Sequence, residues 1–195
     1  TFSHGRSYYD KIGNSLNQYN RENRSNSLGR YYDGGSPSDL WAVRSLEIDP
    51  ATGQELFLTT GGRITFTHDY ANEVVVGNSE PDLEGVLGNS LYYKGFSCSI
   101  YLRYSFGADA FNQTLYDKVE NISSSNLIQN QDKRALYDRW QNAGDKAKFK
   151  GISLTESTPI SSRFVQKKNY LTFESIRVAY EFNHEWMQKI RFSGM

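Results

Sequence analysis

Phe96-Ser-Cys-Ser-Ile-Tyr-Leu-Arg-Tyr-Ser-Phe106 alternates without a break. Phe96, Cys98, Ile100, Leu102, Tyr104 and Phe106 fall on one side, and Ser97, Ser99, Tyr101, Arg103 and Ser105 on the other. Successive side chains of a strand point to opposite faces, so the run reads as a strand with one wholly apolar face and one mostly polar face. Its length of eleven residues exceeds the usual 5–6 or so of a globular strand and matches the roughly 9–11 of a tilted membrane-spanning one. The alternation alone also suits a soluble sandwich or barrel.

Working outward, Gly85–Tyr93 puts Leu87, Leu91 and Tyr93 on one face, with Asn89 as a polar exception. Lys94-Gly95 then closes a two-residue hairpin, Gly95 supplying positive φ. A third strand is expected over Tyr170–Phe182, where Ile176, Val178, Tyr180 and Phe182 share a face but Leu171 and Phe173 stand in the opposite phase. The phase changes near Glu174-Ser175, which calls for a bulge there or for an upper part standing outside the bilayer. A fourth run, Met187–Met195, alternates Ile190 and Phe192 with Lys189 and Arg191 after a tight turn at 183–186.

Connection lengths are lopsided. The links at 94–95 and 183–186 are tight, whereas residues 108–168 make a 61-residue connection and the stretch 9–84 before Gly85 is 76 residues long. Compact domains seldom use connections of that length. Outer-membrane barrels do, with short periplasmic turns and long outer loops. The expected division is therefore an edge strand in 1–8, a long extracellular loop over 9–84, a barrel hairpin over 85–107, a second long loop over 108–168 and a truncated hairpin over 169–195. Within the loops, Leu56 and Leu58 with Ile64 and Phe66 flank Thr59–Gly62 as a small hairpin. Asn130–Gln141 reads as a short helix capped by Asn130 and carrying a Leu136–Trp140 pair. Asn14–Ser38, rich in Asn, Ser, Arg and Gly, reads as irregular.

Composition narrows the function classes. The 22 basic and 22 acidic residues balance, leaving no cationic excess to neutralise the phosphates of a nucleic acid. Mean hydropathy is −0.66, and no apolar run reaches the roughly 20 residues of a membrane helix. Aromatics make up 14% of the chain, which suits barrel girdles and ordinary β domains alike. Cys98 is the single cysteine, and His4, His68 and His184 lie far apart, so neither a disulfide nor a metal-ligand spacing is present in the sequence. The sequence opens on Thr1 with no signal-peptide pattern. That leaves a cytosolic protein or an internal fragment with targeting information upstream.

The catalytic and nucleotide-binding motifs searched for (Gly-x-Ser-x-Gly, P-loop, GxGxxG, HExxH) are missing from the sequence. Asp49–Glu55 reads as a turn rather than a calcium loop, and Asn112-Gln-Thr and Asn121-Ile-Ser as chance matches to the glycosylation pattern. Asp82 and Glu84 read as solvated loop carboxylates. The reading is thus no enzyme, no cofactor and no metal. Tyr137, Arg139 and Trp140 are the candidate contacts for a ligand or partner, against the plainer reading that Trp140 and Leu136 pack the loop helix down.

One family joins these segments in order. Trp41-Ala-Val-Arg-Ser-Leu-Glu-Ile-Asp-Pro-Ala-Thr-Gly-Gln-Glu55, Val76–Gly85, Tyr93–Phe96, Phe111–Asn121, Asp138–Trp140 with Gly144-Asp145, and Ser162–Val165 with Asn169–Leu171 resemble the SusC/RagA-type TonB-dependent outer-membrane transporters of Bacteroidota. The set covers most of 31–182. The resemblance implies an all-β fold, part of a large antiparallel transmembrane barrel of about 22 strands with long extracellular loops. These residues would be a near-C-terminal fragment of the barrel. It also implies a bacterial outer-membrane location and import of oligosaccharides or peptides. The implied partners are the remaining barrel and plug, a SusD-like surface lipoprotein, the TonB complex through a segment not in this chain, and outer-membrane lipid, but no nucleic acid. Phe96, Cys98, Ile100, Leu102, Tyr104 and Phe106 would face lipid. The alternative is a soluble or surface β-rich module that binds glycan through its aromatic loops.

Overall fold

The computed structural model describes residues 1–13, 15–126, 128–130, 132–153 and 156–182. The expected turn at 183–186 and strand at 187–195 lie outside the described residues. The chain divides into two bodies, one formed by 1–5, 81–107 and 168–195, the other by 6–80 and 108–167.

The first body is an antiparallel sheet of four strands in the order β1-β6-β7-β10, namely Phe2–Ser3, Leu83–Tyr93, Phe96–Phe106 and Tyr170–Tyr180. The turn between β6 and β7 has positive φ at both Lys94 (47°) and Gly95 (83°). That is the mirror-image turn whose twist matches a two-residue hairpin. A Cβ on Gly95 would stand 2.8 Å from the Glu181 carbonyl oxygen, so glycine is needed there for space as well as for φ.

Register settles the phase change in β10. Leu171 pairs with Tyr104 and Phe173 with Leu102; after a shift, Ile176 pairs with Ile100, Val178 with Cys98 and Tyr180 with Phe96. Glu174 is the extra residue of a bulge, and it returns the apolar side chains to one face. Across the sheet that face has rows Phe2–Gly85–Tyr104–Leu171, Leu87–Leu102–Phe173, Asn89–Ile100–Ile176, Leu91–Cys98–Val178 and Tyr93–Phe96–Tyr180. Of the two explanations offered by the sequence, the bulge is the one present.

This sheet has no core of its own. Among the described residues, every buried hydrophobic side chain belongs to the second body. Leu87, Leu91, Leu171, Phe173, Ile176 and Val178 are all exposed.

The second body carries the core. Its main sheet runs β4-β3-β2-β5, with β2 Asp39–Ile48, β3 Glu55–Leu58, β4 Ile64–Thr65 and β5 Glu73–Asn78. The hairpin expected around Thr59–Gly62 is β3–β4. The long strand β2, with Ala42, Val43 and Ile48 buried, was not read from the sequence as a strand. A short pair, β8 Asp109–Phe111 with β9 Val165–Lys167, brings together the two ends of the second long connection. Leu115, Val119, Ile122, Ala135, Phe149 and Phe164 pack into one cluster. Leu115–Glu120 of that cluster is a wide helical turn in which the Asn121 amide reaches back to the Tyr116 carbonyl.

Two loop expectations need correction. The helix expected over Asn130–Gln141 is a single turn, α2, Arg134–Tyr137. Asp132, not Asn130, supports its start, accepting from the Arg134 amide at 2.9 Å. It stops because the Asp138 carbonyl accepts from the Lys148 and Phe149 amides, and the Trp140 amide donates to the Phe149 carbonyl. Sheet-like pairing there outcompetes further winding. The stretch expected to be irregular, Asn14–Ser38, contains helix α1, Asn17–Glu22. The fully buried Asn20 side chain accepts from the Tyr31 amide and donates to the Tyr31 carbonyl, replacing a strand partner.

Candidate ligand and partner surface

The three candidate contacts end up in different environments. Tyr137 closes α2 and is 77% exposed. Arg139 is buried, and its three nitrogens donate to the main-chain carbonyls of Ala135, Lys150 and Glu120 at 2.8, 2.8 and 2.9 Å. Buried and bonded through all three nitrogens, Arg139 holds three chain segments together and is not presented to a ligand. That corrects its assignment as a contact. Trp140 is half-buried and donates its ring N–H to the Pro50 carbonyl at 2.9 Å. Its indole lies so close to Gly53 that a Cβ there would meet it at 2.5 Å, and Gly53 has φ +71°. Packing is therefore the role the structure gives Trp140. The helical spacing expected to pair Leu136 with Trp140 is not present, since the helix ends at Tyr137, and Leu136 is exposed. Trp140 does border an open cavity of about 230 Å³ lined also by Thr52, Gln54, Lys150 and Glu156.

The charged residues that sequence reasoning missed are those at the centre of the second body. Glu55, on β3, accepts from Arg163 through both oxygens (3.2 and 2.8 Å) and from the Ser161 hydroxyl at 2.7 Å. Glu120 accepts from Arg163 at 3.0 Å and from the Thr158 hydroxyl at 3.0 Å. The Glu55 and Glu120 side chains are only 2% and 1% exposed. Buried carboxylates persist only when paired and hydrogen-bonded, and here Arg163 and Arg139 balance them in charge. Burial pushes the Glu55 carboxyl up, but the hydrogen bonds and charge of Arg163 outweigh it and hold the group below its ordinary value. Burial pushes Arg163 down, and its bonds to Glu120 and Glu55 more than reverse that. Desolvation lowers Arg139, with Glu120 opposing.

Glu55, Glu120, Arg139 and Arg163 all lie within the motif segments quoted above. A charged residue recurring in each of several ordered motifs was the available signal. These segments thus build the frame of the loop body. Asn112 and Asn121, the glycosylation matches, are likewise engaged inside: Asn112 accepts from the Leu115 amide, and Asn121 accepts from the Thr158 amide at 2.7 Å. Asp49 forms a turn closed by the Thr52 hydroxyl at 2.6 Å.

No family model matches the chain. It is similar to TonB-dependent receptor P3 of Formosa agariphila (strain DSM 15362 / KCTC 12365 / LMG 23005 / KMM 3901 / M-2Alg 35-1), with 23% identity over 158 residues. That match takes in 81% of the chain but 15% of the relative, so the chain spans about a seventh of the length of that relative. Among solved structures it is similar to the RagAB peptide importer in its 'closed-closed' state, with a TM-score of 0.74 at 17% identity over 95% of this chain and 20% of that one. A further structure of the RagAB peptide transporter gives a TM-score of 0.68 at 18% identity over 87% of this chain and 18% of that one. The chain has the antiparallel β fold of part of the RagAB importer, and in sequence it is similar to a TonB-dependent receptor.

Proposed function

We propose that these residues are part of an outer-membrane nutrient importer, with the first body in the barrel wall and the second outside the cell. The observation that carries this is the uncovered sheet. Its apolar face is continuous over three long strands, yet nothing among the described residues covers it. Lipid is the cover that such a face fits.

The ends of the face support the same reading. Tyr93, Phe96, Tyr180 and Phe182 gather at one end, and Phe2, Tyr104 and Phe106 at the other, with mostly aliphatic rows between. Phe96 to Phe106 is ten steps, about 34 Å along the strand. At a tilt of about 40° that is about 26 Å of height, close to the roughly 25 Å apolar band of such barrels. Phe96, Cys98, Ile100, Leu102, Tyr104 and Phe106 then face lipid, and Ser97, Ser99 and Arg103 face the lumen.

The cargo is an oligosaccharide or a peptide, by analogy with the likeness to a peptide importer. A surface lipoprotein and TonB are the partners inferred from the same likeness. The exposed Tyr137 is the remaining candidate contact of the original three. The framework of buried ion pairs keeps the loop body in one shape, which suits a surface that must be recognised repeatedly.

Epitope tags test the orientation. Inserted near Ser124 and at Gly95 of the full-length protein, they are probed with antibody on intact cells. Labelling at Ser124 alone is expected; labelling at Gly95 alone reverses the topology and removes Tyr137 as a partner contact.

A further inference from the structure

The open cavity beside Trp140, about 230 Å³ in volume, is smaller than the roughly 300–1,000 Å³ of sites for drug-sized ligands and has room for one small unit. Two glycines leave it open. Gly53 packs against the indole, and a Cβ on Gly151 would stand 3.7 Å from the same ring. Several polar groups of the lining are already spent. Glu120 accepts from Arg163 and from the Thr158 hydroxyl, and the Thr52 hydroxyl donates to Asp49 at 2.6 Å. The side chains of Gln54, Lys150 and Glu156 line the same cavity, and none of the three has a hydrogen-bond or ion-pair partner among the described residues. Lys150 and Glu156 are held through their main chains instead. The Lys150 carbonyl accepts from Arg139 at 2.8 Å, and the Glu156 amide donates to the Ser153 hydroxyl at 3.1 Å.

We infer that this cavity binds a free α-amino acid. The ligand's carboxylate meets the Lys150 ammonium, its ammonium meets the Glu156 carboxylate and the Gln54 amide oxygen, and its side chain lies against the Trp140 indole. Charge decides the ligand class. Lys150 and Glu156 carry opposite charges, line one cavity and form no ion pair with each other. A neutral ring such as a sugar would strip water from both without supplying a counter-charge. A zwitterion supplies both, and each contact is then charge-assisted. The indole offers apolar area for the side chain. The walls are set in advance, because the Trp140 ring N–H is fixed on the Pro50 carbonyl and Glu120 and Thr158 belong to the buried network around Arg163. Only the two long charged side chains lose freedom on binding. The inference goes beyond the importer reading and does not depend on it, since the cavity lies wholly within the second body.

Saturation-transfer NMR titration of the purified full-length protein tests this, with L-leucine as the probe. L-Leucine is expected to bind saturably. N-acetyl-L-leucine, which lacks the ammonium, and L-leucinamide, which lacks the carboxylate, should each bind about tenfold more weakly. Two variants assign the charges, and neither removes a contact the fold uses. Glu156→Gln should weaken L-leucine and L-leucinamide about tenfold and leave N-acetyl-L-leucine within about twofold. Lys150→Gln should do the reverse, weakening L-leucine and N-acetyl-L-leucine about tenfold and leaving L-leucinamide within about twofold. No saturable binding of L-leucine up to about 10 mM overturns the inference. So does binding that both variants leave unchanged, which puts the amino acid elsewhere in the protein. Glucose that binds more tightly than L-leucine and is lost on Gly151→Val assigns the cavity to a neutral ring, and overturns the inference as well.

Discussion

The carboxylate of Glu174 accepts a hydrogen bond from the Arg103 guanidinium at 2.5 Å, and Glu174 is also the residue of β10 left without a partner in the ladder with β7. The bulge thus sends a charged side chain towards the polar face at the point where the strand would otherwise change phase. Were Glu174 paired in the ladder instead of bulged out, Ile176, Val178 and Tyr180 would lie on the side of Arg103, and Arg177 on the side of Ile100.

Deleting Glu174 should therefore be tolerated about as well as altering it. The deletion leaves Phe173, Ser175, Ile176 and Arg177 opposite Leu102, Tyr101, Ile100 and Ser99, so the alternation becomes regular, Arg177 stays on the polar face and only the bulge with its ion pair is lost. Glu174→Ala keeps the register and removes only a half-exposed ion pair, with side chains 52% and 41% exposed, which solvent screens. The measurement is the heat-modifiable folded band of the full-length protein in outer-membrane fractions. It should persist in both variants, and its loss on deletion would count against Glu174 as the extra residue of the ladder.

The face assignment has its own test. Ile100→Arg places a charge midway along β7 on the apolar face and should cost about 2–4 kcal/mol. Ser97→Arg, opposite Ala179 on the other face, should be tolerated within about 1 kcal/mol. Equal folded yields of the two variants would count against a lipid-facing β7.

Much of the barrel wall was legible because a strand's period of two is written directly in residue type. β6, β7 and β10 were found from alternation, and even the bulge announced itself as a change of phase. β2 was not, since Asp39–Ile48 has Ala42 and Val43 both buried in sequence and a further irregularity opposite β3, so no clean alternation exists. The candidate site was read less well. Arg139 beside Trp140 looks like an exposed aromatic-cationic contact in sequence. The competition between winding onward from α2 and pairing with Phe149 is decided by tertiary hydrogen bonds. Glu55, Glu120 and Arg163 are 43 to 108 residues apart in their pairings, and nothing local marks them as partners.

The buried ion network predicts both a mutational and a pH effect. Arg163→Met leaves Glu55 and Glu120 buried without their counter-ion and should cost about 3–5 kcal/mol. Arg163→Lys recovers only part, because a point charge cannot serve both carboxylates in the geometry of the fork. The Glu55 pKa is depressed by the fold. Its contribution is therefore complete above the unfolded value of about 4.3 and is lost as pH falls through the lower folded value. Amide-exchange protection of residues 39–78 in the full-length protein, followed from pH 7 downwards, should fall in that acid window. Glu55→Gln should lower protection at pH 7 and flatten the acid limb. An unchanged acid limb in that variant would mean that Glu55 does not carry the effect.

The last prediction concerns the 195 residues expressed alone. Hydrophobic burial among the described residues is confined to the second body, whereas the first is, among the same residues, a sheet whose apolar face is uncovered and which has β1 and β10 at its edges. An uncovered apolar face together with open strand edges is a template for association. Burial of apolar area is the main favourable term in folding, so a sheet without it has little to set against the entropy of ordering its strands. In detergent-free buffer the fragment should therefore aggregate. In mild detergent its exchange pattern should be divided, with amides of β2, β3 and β5 protected and those of β6, β7 and β10 exchanging far faster. Analytical ultracentrifugation and exchange mass spectrometry read the two outcomes. A detergent-free monomer that unfolds in one sharp transition, with β6, β7 and β10 as protected as β2, would overturn the barrel-wall assignment in favour of a self-contained β module.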